Sequence, residues 1–198
     1  VDIGGGTTNV AAIVNGSIIA ARAERVGSSD IDAAIADRLR RHRGLNIGAQ
    51  TAERLKLELS TAIEPRDPRL KINVRGRDVQ TGSPEAADVT ADEVYSVTLP
   101  IVRRIADEVR DTLSELPPEV AGDIYDRGVI LTGGGALMEG MAQYLGKQLN
   151  LAVNVADDPR FAIVRGLSQM YDEPLLLRRV ARTEARPLIE AEPNPFEA

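Results

Sequence analysis

The sequence predicts an α/β fold, a mixed sheet with flanking helices into which a small α+β unit is inserted. Three observations lead there: a β-branched, turn-punctuated start, a middle dominated by helical periodicity, and a finish that alternates strand, glycine turn and helix.

Val1-Asp2-Ile3 reads as the end of a strand, and Gly4-Gly5-Gly6 follows at once as a turn signal. Residues 7–14 are β-branched and apolar. Asn15-Gly16 supplies the two positive-φ positions of a type I′ turn, and residues 17–26 form the return strand. The opening is thus a three-stranded meander. From 30 to 43, Ile31, Ala34, Ile35 and Leu39 follow helical spacing, and Gly44 is the stop. A second helix over about 51–62 turns Leu55 and Leu59 inward and ends before Pro65 and Pro68. Short strands are expected around 70–74 and 79–81, joined at Arg75-Gly76-Arg77. Thr90 and Glu93 have the spacing of a capping box and open a long helix, with a kink or a late start expected at Pro100. After Pro117-Pro118 the pattern becomes strand (129–132), Gly133-Gly134-Gly135, helix (136–149), strand (152–155) and helix (159–170). Pro174, Pro187, Pro193 and Pro195 with mixed charge predict a solvated, disordered tail over 173–198. Residues 175–185 read alternatively as a short basic amphipathic helix.

Composition removes several classes of function. A net charge of −6 and 3% aromatic residues argue against a nucleic-acid partner, which needs a basic footprint or a stacking platform. Without cysteine there are no disulfides, thiolate nucleophiles or Cys-based metal sites. The one histidine, His42, sits among Arg38, Arg40, Arg41 and Arg43 and cannot build a zinc site alone. No apolar run approaches the ~20 residues that span a bilayer. The chain starts inside a strand, with no Met and no signal-peptide pattern, so a truncated N-terminus is expected.

Three constellations carry chemistry. At Asp2-Ile3-Gly4-Gly5-Gly6-Thr7-Thr8, a glycine turn lets main-chain N–H groups converge on phosphate oxygens, and the hydroxyls of Thr7 and Thr8 add donors. Asp2 is placed to hold the hydration shell of a phosphate-bridging Mg²⁺. A hairpin turn that simply needs glycine is the plainer explanation. Thr132-Gly133-Gly134-Gly135-Ala136 ends a strand and opens a helix, where an α/β sheet presents ligands; glycines there lie flat against a purine or phosphate, or merely allow close packing. Glu53, Lys56 and Ser60 share one helical face, suited to ribose hydroxyls and an adenine edge, or to an ordinary surface ion pair between Glu53 and Lys56.

These motifs resemble a known family. Residues 2–8 resemble the second phosphate motif of the actin, heat-shock-chaperone and sugar-kinase ATPase superfamily, and residues 131–136 its adenosine motif. Arg75-Gly76-Arg77-Asp78, the run from Asp126 through Gly133-Gly134-Gly135 to Leu137, and Val155-Ala156-Asp157-Asp158-Pro159 are similar to the MreB branch. The resemblance covers roughly residues 1–170 and implies a ribonuclease-H-like, actin-like lobe that closes on ATP and Mg²⁺ with a first lobe not contained here. It implies a large nucleotide-binding subdomain (1–44 with 125–172) and a small inserted one (45–124). It further implies self-assembly into filaments on the cytoplasmic face of the cell membrane, with the membrane-associated cell-wall elongation machinery as partner. Glu53 and Lys56 become expected adenosine contacts, with Ser60 beside them. A chaperone-like or kinase-like ATPase of the same superfamily is the alternative. One departure stands out. Where the family carries a water-activating Glu, this chain has Asn9, which can bond a water but cannot take its proton. Gly27-Ser28-Ser29 also replaces the usual Gly-Gly-Asp, and Ala36 a frequent threonine. At most a weak ATPase is expected.

Overall fold

The structure is a computed structural model and describes residues 1–173 and Leu175. The tail expected over 173–198, and the amphipathic helix at 175–185, therefore lie almost wholly outside the described residues.

The meander forms as read. Strands β1 (Asp2–Ile3), β2 (Thr8–Val14) and β3 (Ser17–Glu24) pair antiparallel, with Asp2 opposite Asn9 and Thr8 opposite Glu24. Asn15 and Gly16 take φ of 50° and 79°, the conformation that this tight turn demands. Alternation along β2 sends Val10 and Ala12 inward, while Asn9, Ala11 and Ile13 face out. The other edge of β1 meets the segment that follows β7 (Val129–Leu131): Thr132 N–H donates to Val1 O (2.7 Å) and Ile3 N–H to Thr132 O (2.9 Å). Strand β8 (Val153–Val155) adds parallel to β7. The order across these strands is β3-β2-β1-β7-β8, a mixed arrangement.

Helix α1 (Ser28–Arg43) leaves β3; the Asp30 carboxylate accepts from Gly27 N–H at its start, and Gly44 closes it at φ 63°. A second sheet follows, in the order β4 (Leu45–Asn46), β5 (Lys71–Asp78), β6 (Pro84–Thr90), with helix α2 (Ala49–Leu59) between β4 and β5. Helix α3 (Ala91–Ser114) starts with the predicted box, Thr90 Oγ1 accepting from Glu93 N–H while the Glu93 carboxylate accepts from Thr90 N–H. It packs against α1, α2 and β6 at one end and β2 and β3 at the other. Helices α4 (Pro118–Arg127), α5 (Met141–Leu149) and α6 (Ala162–Asp172) complete the described chain. One hydrophobic cluster joins Ile3, Ile35, Leu39, Leu131 and Leu145 to Leu55 of α2 and to Leu45, Val74 and Val89 of the second sheet. Among the described residues no helix is long and apolar enough to cross a membrane.

Four local expectations are corrected. Arg75-Gly76-Arg77 is not a turn but lies inside β5; a Cβ on Gly76 would meet Asn46 O at 2.5 Å, so the glycine admits the close crossing of β4. The real turn spans 79–83, with Gly82 at φ 73° and the Asp78 carboxylate accepting from the N–H groups of Gln80 and Thr81. Helix α3 starts at Ala91 and contains Pro100, so of the two expectations there the late start is not what forms. Helix α4 was not expected; it starts with Pro118 at its first turn, where a missing N–H costs nothing, and its short apolar stripe, Val120 and Ile124, is only half-buried. Finally, the second glycine triplet opens only a 3₁₀ turn (Gly134–Leu137), and Gly140 at φ 75° separates it from α5.

Candidate functional site

Begin with the first glycine turn. Its carbonyls are occupied: Gly4 O accepts from Ser28 N–H (3.0 Å) and Gly5 O from Ser29 N–H (2.8 Å), which clamps the first turn of α1 onto it. Gly27 must lack a side chain, because a Cβ there would lie 2.3 Å from Gly5 O. With the carbonyls tied to α1, the amides are left over. Among the described residues none accepts a hydrogen bond from the N–H of Gly5, Gly6 or Thr7, and all three residues are exposed. Consecutive unpaired amides on one exposed turn form a concave donor array that suits an anion.

The backbone angles of the turn do not require glycine, since none of Gly4, Gly5 and Gly6 has positive φ. A Cβ on Gly4 would crowd Thr7 O at 3.1 Å and one on Gly5 would lie 3.3 Å from Ser29 Oγ, but one on Gly6 would meet nothing within 4 Å. The fold leaves this glycine unexplained, which favours close approach of a ligand over the plain hairpin.

The second triplet lies against the same strand. A Cβ on Gly133 would sit 2.3 Å from Ile3 O and 2.7 Å from Asp2 Oδ1, and one on Gly135 would sit 2.3 Å from Ile3 Cγ2. Gly133 and Gly135 are therefore required for packing on β1, as the close-packing alternative expected. Gly134 is exposed, and Ala136 is buried in the core cluster.

Helix α2 closes the circuit. In its last turn Lys56 Nζ donates to Ser28 O (3.3 Å). At the same end Ser60 caps the helix by donating to Lys56 O (2.6 Å), and the next residues join the segment after the second triplet: Thr61 Oγ1 and Ala62 N–H both donate to Glu139 O. Contacts thus run from the first turn to α1, α2, Glu139, the second triplet and back through Ile3. Both triplets adjoin Ile3 of β1, Gly4 by following it in the chain and Gly133 and Gly135 by packing on it.

Individual side chains divide. Asp2 and Asn9 are cross-strand neighbours on the outward face, within reach of one another. Asp2 Oδ1 accepts from Thr132 Oγ1 (3.1 Å), which fixes the carboxylate beside both triplets. Thr7 is exposed at the turn. Thr8 is a correction: it is fully buried and its hydroxyl donates to Val26 O (2.8 Å), so it serves the fold and offers no donor at the turn. The surface ion pair between Glu53 and Lys56 does not form; Glu53 is exposed and Lys56 pairs with Asp32 instead. Among the described residues no group of three or more His, Asp or Glu could hold a metal alone. A magnesium ion here would take one protein carboxylate, through water, and phosphate oxygens, its ordinary coordination with nucleotides.

Sequence reasoning missed the parts that α1 contributes. Ser28, Ser29 and Asp32 connect the turn to α2, yet Asp32 precedes Lys56 by 24 residues and no local spacing relates them.

With this geometry described, comparison with known proteins places the fold. The structure superposes on MreB5 of Spiroplasma citri bound to AMPPNP with a TM-score of 0.82 at 30% identity, over 91% of this chain and 53% of that one. It also matches the MamK double helical filament in fold, at 22% identity and a TM-score of 0.70. The fold is that of the actin-like ATPases. Residues 1–179 match the MreB/Mbl protein family, and the chain belongs to it. It is 37% identical over 172 residues to the cell shape-determining protein Mbl of Bacillus subtilis, covering 87% of this chain and 51% of the relative. It is 39% identical over 166 residues to the cell shape-determining protein MreB of Escherichia coli, covering 84% and 48%. The chain spans about half the length of the curated relatives it matches.

Proposed function

We propose that this chain is the nucleotide-binding second lobe of an actin-like, filament-forming protein that guides cell-wall elongation from the cytoplasmic face of the membrane. Its large subdomain would comprise 1–44 with 125–172 and its small one 45–124. The observation that carries the nucleotide reading is the row of unpaired amides at Gly5, Gly6 and Thr7, on a turn whose conformation needs no glycine. These amides and the Thr7 hydroxyl hold phosphate oxygens of ATP, whereas the Gly4 N–H is spent on Thr7 O (2.9 Å). Asp2 holds the hydration shell of Mg²⁺, which when bound neutralises phosphate charge. Glu53, Lys56 and Ser60 read the ribose and adenine edge, and the exposed Gly134 borders the purine, a contact that the buried Ala136 does not share.

Asn9 orients the attacking water beside Asp2 but does not deprotonate it, so hydrolysis is slow; a positioned base is typically worth about 10²–10⁴-fold. The full-length protein with Asn9→Glu should release phosphate faster than the parent, and an unchanged rate removes Asn9 from the mechanism. Sedimentation with and without ATP tests the filament. Pelleting with ATP is expected, while monomers under every condition would point to a soluble enzyme of the same superfamily. Relatives that bear cell-shape names and a relative's complex with AMPPNP support the reading.

A further inference from the structure

Lys56 is not a free surface cation. Its Nζ donates to Asp32 Oδ2 at 2.7 Å and to Ser28 O at 3.3 Å, and the two side chains are only 12% and 21% exposed. An ammonium has three donors, so one remains. Asp32 gains little for itself: its Oδ1 is buried without any partner, and a desolvated acceptor left unpaired costs stability. Paired charges withdrawn from water are weak stabilisers in any case. The carboxylate is thus badly placed for its own hydrogen bonding and well placed for the lysine. Ser28 adds the second anchor, and its own N–H is tied to Gly4 O, so the ammonium is fixed relative to the first glycine turn.

We propose that Asp32 is the positioning residue for Lys56, holding it as a charge-neutralised, single-donor probe of the nucleoside rather than as a phosphate-binding cation. This rests on the nucleotide reading above and deepens it. A lysine whose charge is cancelled at 2.7 Å attracts phosphate weakly, but its third N–H remains a directed donor to a neutral oxygen or ring nitrogen. Phosphate recognition is left to the turn amides of Gly5, Gly6 and Thr7. The division of labour follows from the placement: amides at the turn, the neutralised lysine in the last turn of α2.

The test is a double-mutant cycle on the full-length protein, titrated with ATP, adenosine and tripolyphosphate: parent, Asp32→Asn, Lys56→Gln and the double variant. Each single change is expected to weaken ATP and adenosine by roughly tenfold, to leave tripolyphosphate unchanged, and to be no worse in combination than Lys56→Gln alone. Parent-like adenosine binding by Asp32→Asn overturns the proposal. So does an Asp32→Asn loss that adds in full to that of Lys56→Gln, because the residue then acts on the fold and not through the lysine. A parent that binds none of the three ligands sinks the nucleotide reading itself, a different failure. Melting temperatures check folding. Should Asp32→Asn unfold, Lys56→Arg keeps the pair but displaces the charge: weaker adenosine with intact tripolyphosphate binding supports the proposal, and unchanged adenosine binding overturns it.

Discussion

The two glycine triplets are the same three letters after a strand, and the fold asks different things of them. At Gly133 the backbone takes φ 82° with Ile3 O at 2.3 Å from a virtual Cβ, and at Gly135 the side chain of Ile3 fills the same space. Those glycines exist because β1 runs past them. At Gly4, Gly5 and Gly6 no positive φ is present and the space beyond Gly6 is open, yet the carbonyls of Gly4 and Gly5 are occupied while the amides of Gly5, Gly6 and Thr7 are not. A glycine that packing explains says nothing about a ligand. One that packing does not explain implies something outside the chain.

This contrast can be broken in several ways. The largest effect is expected at Gly133→Ala, where a backbone clash and a left-handed φ combine to cost about 3 kcal/mol; urea unfolding should show the midpoint fall, and a loss below about 1 kcal/mol would mean that β1 can step aside. Gly6→Ala should do the reverse. Its stability should stay within about 1 kcal/mol of the parent, while ATP affinity falls roughly tenfold or more as an amide loses its phosphate contact. Parent-like binding, measured by titration, would reduce the first triplet to a turn. The adjacent threonines sharpen the same distinction: Thr8→Val should cost about 1 kcal/mol of stability and no ATP affinity, and Thr7→Val should weaken ATP binding with the melting curve unchanged. The smallest effect lies far from both triplets, at the α3 cap. Burial alone would raise the Glu93 carboxyl, but bonds from Arg43 and from Thr90 outweigh it and hold the group below its ordinary value. A depressed acid contributes stability above the ordinary carboxylate range and loses it as pH falls through its folded value. Glu93→Gln should therefore flatten the acid limb of the stability curve by about 1 kcal/mol or less, and leave nucleotide binding untouched.

Local causes were legible in the sequence. Asn15-Gly16 makes its turn through its own φ preferences, Gly44 stops α1 the same way, and Thr90 with Glu93 caps α3 across three residues. Non-local causes were not. Gly76 was read as a turn glycine because its reason, the carbonyl of Asn46, lies 30 residues back. Thr8 was read as a ligand donor because its acceptor, Val26 O, comes into reach only once β3 returns. Helix α4 offers only Val120 and Ile124 as an apolar stripe, too short to stand out after Pro117-Pro118. At the candidate site the sequence named both glycine turns and the α2 face, but not the first turn of α1 that joins them.

Helix α3 has a consequence for how the chain melts. Its 24 residues place Val94 beside the second sheet's core and Ile105 in the same cluster as Ile3 and Leu131. A helix forms all at once or frays from its ends, so this one acts as a shared axle between the two sheets. Heating that loosens either sheet strips an apolar stripe from α3 and withdraws support from the other. A single calorimetric transition, with no plateau between two halves, is the behaviour that such an axle imposes on residues 1–173.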